Sequence, residues 1–202
     1  MTAATDTLES PPAAPRALVV CADPTLHRSG IGRQVAAAAA GLPGVQLRDL
    51  YQLYPDFYID VRGERALLAS APLLVFAFRL SWYAMPALLK EWCDTVLAPA
   101  WAGAAPPRLG GKALLAAVAC DSRAEDYRPG ARHGRPLEDY LAPLAQTAHA
   151  CGMRWLDPHP LYDAAGAGAA SADGNARGLR ALLARHAGID LATLATGGTH
   201  GA

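Results

Sequence analysis

Apolar and polar positions along the chain fall into a strand-then-helix cycle that repeats from residue 16 onward. Residues 16–22 form a nearly continuous apolar run with β-branched members, which suits a strand covered on both faces. A polar loop follows, then the alanine-rich stretch 31–40, helical by propensity and closed by Leu42-Pro43-Gly44. Residues 45–50 alternate as a strand nearer a sheet edge does, and 61–70 read as a helix. Buried strands are predicted again at 72–78 and 112–120, and a last strand at 153–161. Helices are predicted at 87–97 behind Pro86, at 137–151 up to Gly152, and at 175–187. Residues 1–15 are expected to be a disordered leader, 163–176 a flexible Gly/Ala loop and 191–202 a flexible tail, leaving one domain over 16–190.

Strands that alternate with helices give an α/β fold: a five-stranded parallel sheet with helices on both faces, three layers in all. Such sheets bind ligands beyond the carboxyl ends of their strands, where the strand order switches direction. The loops to inspect are therefore 23–32, 79–85 and 121–133.

Composition narrows the function classes. The 202 residues are enough for one domain with a sizeable core and short for two. Lys+Arg and Asp+Glu balance at 18 each, which argues against nucleic acid as a partner. With 52% hydrophobic and 18% charged residues the chain is not a disordered one. Cys21, Cys93, Cys120 and Cys151 are scattered singly, with no metal-ligand spacing, and are expected to be buried reduced thiols. The first residues lack the basic start and apolar core of a secretory signal, and the longest apolar runs are too short to span a bilayer. A soluble cytoplasmic protein is the expectation.

The first loop runs from Asp23 into a helix N-terminus at Ser29, Gly30, Ile31 and Gly32, where free N–H groups and the helix dipole favour an anion. It is equally an ordinary capped turn, and its glycines do not make the dinucleotide fingerprint GxGxxG. The second loop, Leu80-Ser81-Trp82-Tyr83, puts an aromatic pair at a strand's carboxyl end, as a cofactor wall, core packing or a dimer contact. The third, Ala119-Cys120-Asp121-Ser122, leads to Tyr127 with His133 six residues on. A Tyr and a His beside a cleft relay a proton; the same pair on a surface loop does nothing.

Two stretches carry a family resemblance: Leu50-Tyr51-Gln52-Leu53-Tyr54-Pro55-Asp56-Phe57-Tyr58-Ile59-Asp60, and Ser81-Trp82-Tyr83 with Pro86-Ala87-Leu88-Leu89-Lys90-Glu91-Trp92. In order and spacing they resemble the flavodoxin-like NAD(P)H:quinone oxidoreductases, and within them the ancillary subunits of glutathione-regulated potassium efflux (Kef) systems. The resemblance implies a flavodoxin-like fold, a homodimer, FMN at the sheet's carboxyl edge, NAD(P)H as co-substrate and a small-molecule quinone as acceptor. For the ancillary branch it also implies peripheral association with a membrane potassium antiporter. Carried over by position, the phosphate loop is Asp23 with Ser29, Gly30, Ile31 and Gly32. The flavin loops are Leu80, Ser81, Trp82 and Tyr83, and Ala119, Cys120, Asp121 and Ser122. Tyr127 and His133 match the catalytic Tyr and His.

The cofactor positions depart from the family pattern. Asp23 stands where the family has His, placing a carboxylate at the phosphate loop, and Gly32 stands for an Asn. Phe78-Arg79 replaces His-Pro, and Ala119-Cys120-Asp121-Ser122 replaces Thr-Thr-Gly-Gly, so Cβ atoms are added where backbone freedom was used. Arg79 either holds a phosphate or carboxylate or pairs with Asp121 or Glu125. Two functions of different class follow: an FMN-dependent NAD(P)H:quinone oxidoreductase, or a flavin-free flavodoxin-like regulatory subunit of an efflux antiporter.

Overall fold

A computed structural model describes residues 14–24, 30–102, 108–162 and 169–196. The elements are β1 (Ala17–Ala22), α1 (Gly30–Ala39), β2 (Val45–Asp49), α2 (Leu50–Leu53), α3 (Val61–Ser70), β3 (Leu73–Arg79), α4 (Ala87–Val96) and α5 (Pro99–Ala102). They continue with β4 (Ala113–Ala119), α6 (Leu137–Ala150), β5 (Arg154–Trp155), β6 (His159–Leu161), α7 (Ala169–Ala187) and α8 (Leu191–Thr196).

The strands form one parallel sheet in the order β2-β1-β3-β4-β5, with β6 also paired to β4. Because side chains alternate across a strand, each central strand feeds two cores. Leu18, Val20, Leu74, Phe76, Phe78, Leu114 and Val118 point to the face covered by α2, α3, α4 and α6. Val19, Cys21, Val75, Ala77, Leu115 and Ala117 point to the face covered by α1 and α7. All six residues of β1 and all seven of β4 are buried, which is why these strands read as unbroken apolar runs.

The predicted fifth strand is broken into two. Trp155 pairs with Leu114 and His159 with Ala117, so residues 156–158 face only 115–116. That one extra residue is a bulge, placed where Pro158 has no N–H to give the ladder. The last long helix starts earlier than expected: α7 takes in 169–174, where Ala169, Ala170 and Ala172 outweigh Gly174. The expected Gly/Ala loop is thus helical in its second half; 163–168 lie outside the described residues, as do 1–13 of the leader. Leu191–Thr196 is helical rather than loose tail, started by the Asp190 carboxylate accepting from the Ala192 N–H at 2.9 Å. Among the described residues no helix is long and apolar enough to cross a membrane.

The two stretches that carry the resemblance meet at one buried carboxylate. Glu64 on α3 is fully buried. Its Oε1 accepts from Arg48 Nη2 at 2.6 Å, Arg48 Nε at 3.0 Å and the Tyr54 hydroxyl at 2.7 Å, and its Oε2 from Trp92 Nε1 at 3.1 Å. β2, the end of α2, α3 and α4 are thereby tied together beneath the carboxyl edge of the sheet. Asp49 caps α2 through the Gln52 N–H, and Asp60 caps α3 through the Gly63 N–H.

Candidate functional site

The strand order reverses between β1 and β3, so the gap beyond their carboxyl ends is where such a sheet takes a ligand. A cleft of about 580 Å³ opens there, lined by Pro24 after β1, Tyr51 on α2, Arg79 and Ser81 after β3, and Met85, Pro86 and Ala87 entering α4. Its size falls within the range usual for small-molecule sites, roughly 300–1,000 Å³.

One wall is a tight turn. Ser81 and Ala84 exchange both backbone hydrogen bonds at 3.1 Å, with Trp82 and Tyr83 between them at φ +49° and +64°. Positive φ at both central positions belongs to hairpin turns that normally use Asn-Gly. Two bulky aromatics there cost about 1–2 kcal/mol each, and Trp82 recovers nothing by burial, since it is 91% exposed. Backbone strain of this kind clusters at active sites and ligand clamps.

Tyr83 leads into an aromatic cluster that joins the loops after β3 and β4 to α6. Its ring stacks on Tyr140 at 4.9 Å and meets His133 edge-on at 5.7 Å, with its hydroxyl 3.5 Å from His133 Nδ1. Tyr127 stacks on His133 at 4.3 Å, and the Tyr140 hydroxyl donates to the His133 carbonyl at 2.5 Å. His133 Nε2 is buried and has no hydrogen-bond partner. The Tyr127 hydroxyl instead interacts with the Cys120 thiol. Burial first, and that thiol second, raise the Tyr127 pKa, while burial pushes Cys120 up to about 11. Both stay protonated at neutral pH.

The carboxylate brought in by Asp121 is answered within the site. Arg79 at the end of β3 forms an ion pair with Asp121, across the β3–β4 junction. The alternative in which Arg79 pairs with a neighbouring carboxylate is the one the structure takes. Neither Asp121 nor Ser122 has a positive φ, so the loss of the family's glycines carries no backbone strain here. Asp23 is fully buried, and its charge reaches Cys21 and Tyr51, whose pKa values rise mainly through burial.

Of the residues singled out from sequence, Ser81 lines the cleft, while Leu80, Trp82 and Tyr83 form the turn beside it. Ala119, Cys120 and Ser122 are buried at the end of β4, and Asp121 is exposed. Gly30, Ile31 and Gly32 form the first turn of α1, with Ile31 buried. Ser29 lies outside the described residues. Tyr127 and His133 come together as a stacked pair but are not among the residues lining the cleft, and no hydroxyl-to-imidazole bond joins them. Sequence reasoning passed over Tyr51, Met85 and Tyr140 as site residues. Tyr51 had a signal in the resembling stretch; Tyr140, inside an amphipathic helix, had none.

The model of one protein family, described as having a flavodoxin-like fold, matches residues 15–185. The chain belongs to the flavodoxin-like family. Among relatives of this flavodoxin-like chain is the glutathione-regulated potassium-efflux system ancillary protein KefF of Klebsiella pneumoniae (strain 342). It is 40% identical over 146 residues, 72% of this chain and 81% of that one. The general stress protein 14 of Treponema denticola, solved in complex with FMN, superposes with a TM-score of 0.80 at 28% identity, covering 85% of this chain and 99% of that one. A structure described as a thermophilic tryptophan halogenase from Streptomycin violaceusniger has a TM-score of 0.77 at 35% identity, covering 81% and 95%. The described activities differ while the fold is shared, so function rests on the site.

The residues present fit a flavin. The cleft has the volume and stands at the β1/β3 switch point, Ser81 of the strained aromatic turn lines it, and the imidazole packed on Tyr83 of that turn has a buried nitrogen without a partner.

Proposed function

We propose that this chain is an FMN-dependent NAD(P)H oxidoreductase of the quinone reductase type. The single observation that carries the reading is the cleft at the β1/β3 switch point, lined by Tyr51, Arg79, Ser81 and Met85, with the strained Trp82-Tyr83 turn next to Ser81. The FMN complex of the Treponema denticola protein supports it.

The N-terminal turn of α1, Gly30 to Gly32, would take the phosphate through its N–H groups, with the Asp23 carboxylate buried rather than presented to it; Tyr51, Arg79, Ser81, Met85 and Pro86 would hold the ring end. Leu80, Trp82, Tyr83, Ala119, Cys120, Asp121 and Ser122 complete the surroundings. Bound there, FMN supplies two-electron transfer from the nicotinamide to a quinone. The chain's own part is electrostatic and positional. Arg79 balances the Asp121 charge at the loop mouth. Tyr127 stays protonated against Cys120 and packs the imidazole face, while His133 holds a proton for the acceptor's oxygen.

The relatedness to KefF favours a second role beside catalysis, as a cytoplasmic ancillary subunit on a potassium antiporter. Phe57, Tyr58 and Trp82, large and exposed, are surface of the kind a second copy in a homodimer covers.

The test is a visible absorption spectrum of the purified protein, before and after adding FMN and desalting, followed by NAD(P)H oxidation with a quinone acceptor. Retained flavin bands, bleached by NAD(P)H and restored by quinone, are expected. A protein that stays colourless after reconstitution overturns the oxidoreductase reading and leaves the flavin-free regulatory subunit.

A further inference from the structure

The residue six positions before His133 is the obvious partner for it, yet the Tyr127 hydroxyl interacts with Cys120, and only its ring meets the imidazole. The hydroxyl that does reach the imidazole is that of Tyr83, from a different loop. At 3.5 Å the contact is long, as such contacts are before substrate closes a site. Two features show that Tyr83 is held for this position. Its backbone sits at φ +64°, which a bulky residue adopts only under constraint, and its ring is stacked at 4.9 Å on Tyr140. Tyr140 also binds the His133 carbonyl, so one α6 side chain fixes both partners relative to each other.

We propose that Tyr83 is a positioning and proton-supplying residue for His133, and that Tyr140 clamps the pair. The proposal rests on the oxidoreductase reading of the site. A phenol donates more readily than it accepts, so the Tyr83 hydroxyl donates to Nδ1 and the imidazole proton resides on Nε2. Nε2 is the nitrogen left buried without a protein partner. When the reduced acceptor's oxygen takes the Nε2 proton, the Tyr83 proton moves to Nδ1. Tyr83, 47% exposed, then recovers a proton from water. One proton leaves and one enters, and no electron moves through the relay.

The test uses the full chain carrying FMN. Tyr83→Phe keeps the ring and its stack and removes only the hydroxyl. It is expected to lower kcat for quinone reduction at least about 10-fold, with KM for NAD(P)H within about twofold and flavin absorption retained. The ¹⁵N signals of the His133 ring should move from a single Nε2–H tautomer to a mixture, a signature that a purely structural role would not give. Tyr140→Phe, which frees the His133 carbonyl, should shift the same signals part of the way, and Tyr127→Phe should cost less activity than Tyr83→Phe. Unchanged kcat and ring signals in Tyr83→Phe, or a larger loss in Tyr127→Phe, overturn the relay while the oxidoreductase reading stands. A wild-type protein without NAD(P)H oxidation overturns both, so the two failures are distinguishable.

Discussion

Removing the Glu64 carboxylate tests the claim that the two family-resembling stretches are held together through it. The side chain is fully buried and accepts four hydrogen bonds, from Arg48 twice, Tyr54 and Trp92. In Glu64→Ala the fully buried Trp92 N–H loses its acceptor, at about 1–3 kcal/mol. The Arg48 guanidinium loses its counter-charge, but its side chain is 22% exposed and can rehydrate in part. That places the loss toward the lower end of the 3–5 kcal/mol typical of a broken buried pair. Tyr54 keeps the Arg48 Nη2 donor at 3.2 Å, so it adds little. Together the terms come to about 4–6 kcal/mol, equivalent to a Tm lowered by roughly 8–24 °C in a domain of this size.

Glu64→Gln keeps the shape and one acceptor oxygen but not the charge, and should cost about half as much. Urea unfolding followed by tryptophan fluorescence reads the difference, and Trp92 reports directly on the network. Both variants within about 0.5 kcal/mol of wild type would refute the reasoning. So would an equal cost for the two, because charge and hydrogen bonding would then carry no separate weight.

Two further outcomes follow from groups elsewhere in the fold. Burial lowers the pKa of His159, whose Nε2 has no partner, and burial with Arg185 and Arg154 nearby lowers that of His186. The unfolded imidazoles therefore take up protons that the folded ones resist, so stability is lost as pH falls through about 6.5 and below; His159→Gln should flatten the Tm slope between pH 7 and 5.5, and an unchanged slope would count against the assignment. Trp82→Gly relieves a positive φ at a side chain that is 91% exposed, so stability in urea should hold or rise by up to about 1 kcal/mol while the Kd for FMN increases; a loss of more than 1 kcal/mol would show that the turn is not strained.

The central strands were legible because a parallel sheet buries both faces, and β1, β3 and β4 leave no polar residue in the interior of their runs. The bulge at 156–158 was not, since periodicity carries no information about the partner strand's register. Nor was α2, a single turn that exists because Asp49 caps it, or the early start of α7 in a Gly/Ala stretch that reads as a linker. The loops of the candidate site were legible from topology, as positions after β1, β3 and β4, while their pairings were not. Arg79 had two carboxylates to choose from and took Asp121, which lies on the same side of the sheet two residues beyond its strand partner Ala119.

By itself the sequence determined the layers, the central strands and which strand ends face the ligand, because burial and periodicity act locally and leave a mark in every window. Tertiary structure alone decided which hydroxyl meets His133. Tyr127 is near in sequence but is turned to Cys120, whereas Tyr83, fifty positions away, is brought to Nδ1 by a strained turn and the Tyr140 ring. Side-chain geometry at a loop junction depends on elements far apart in the chain, and no local pattern records where they meet.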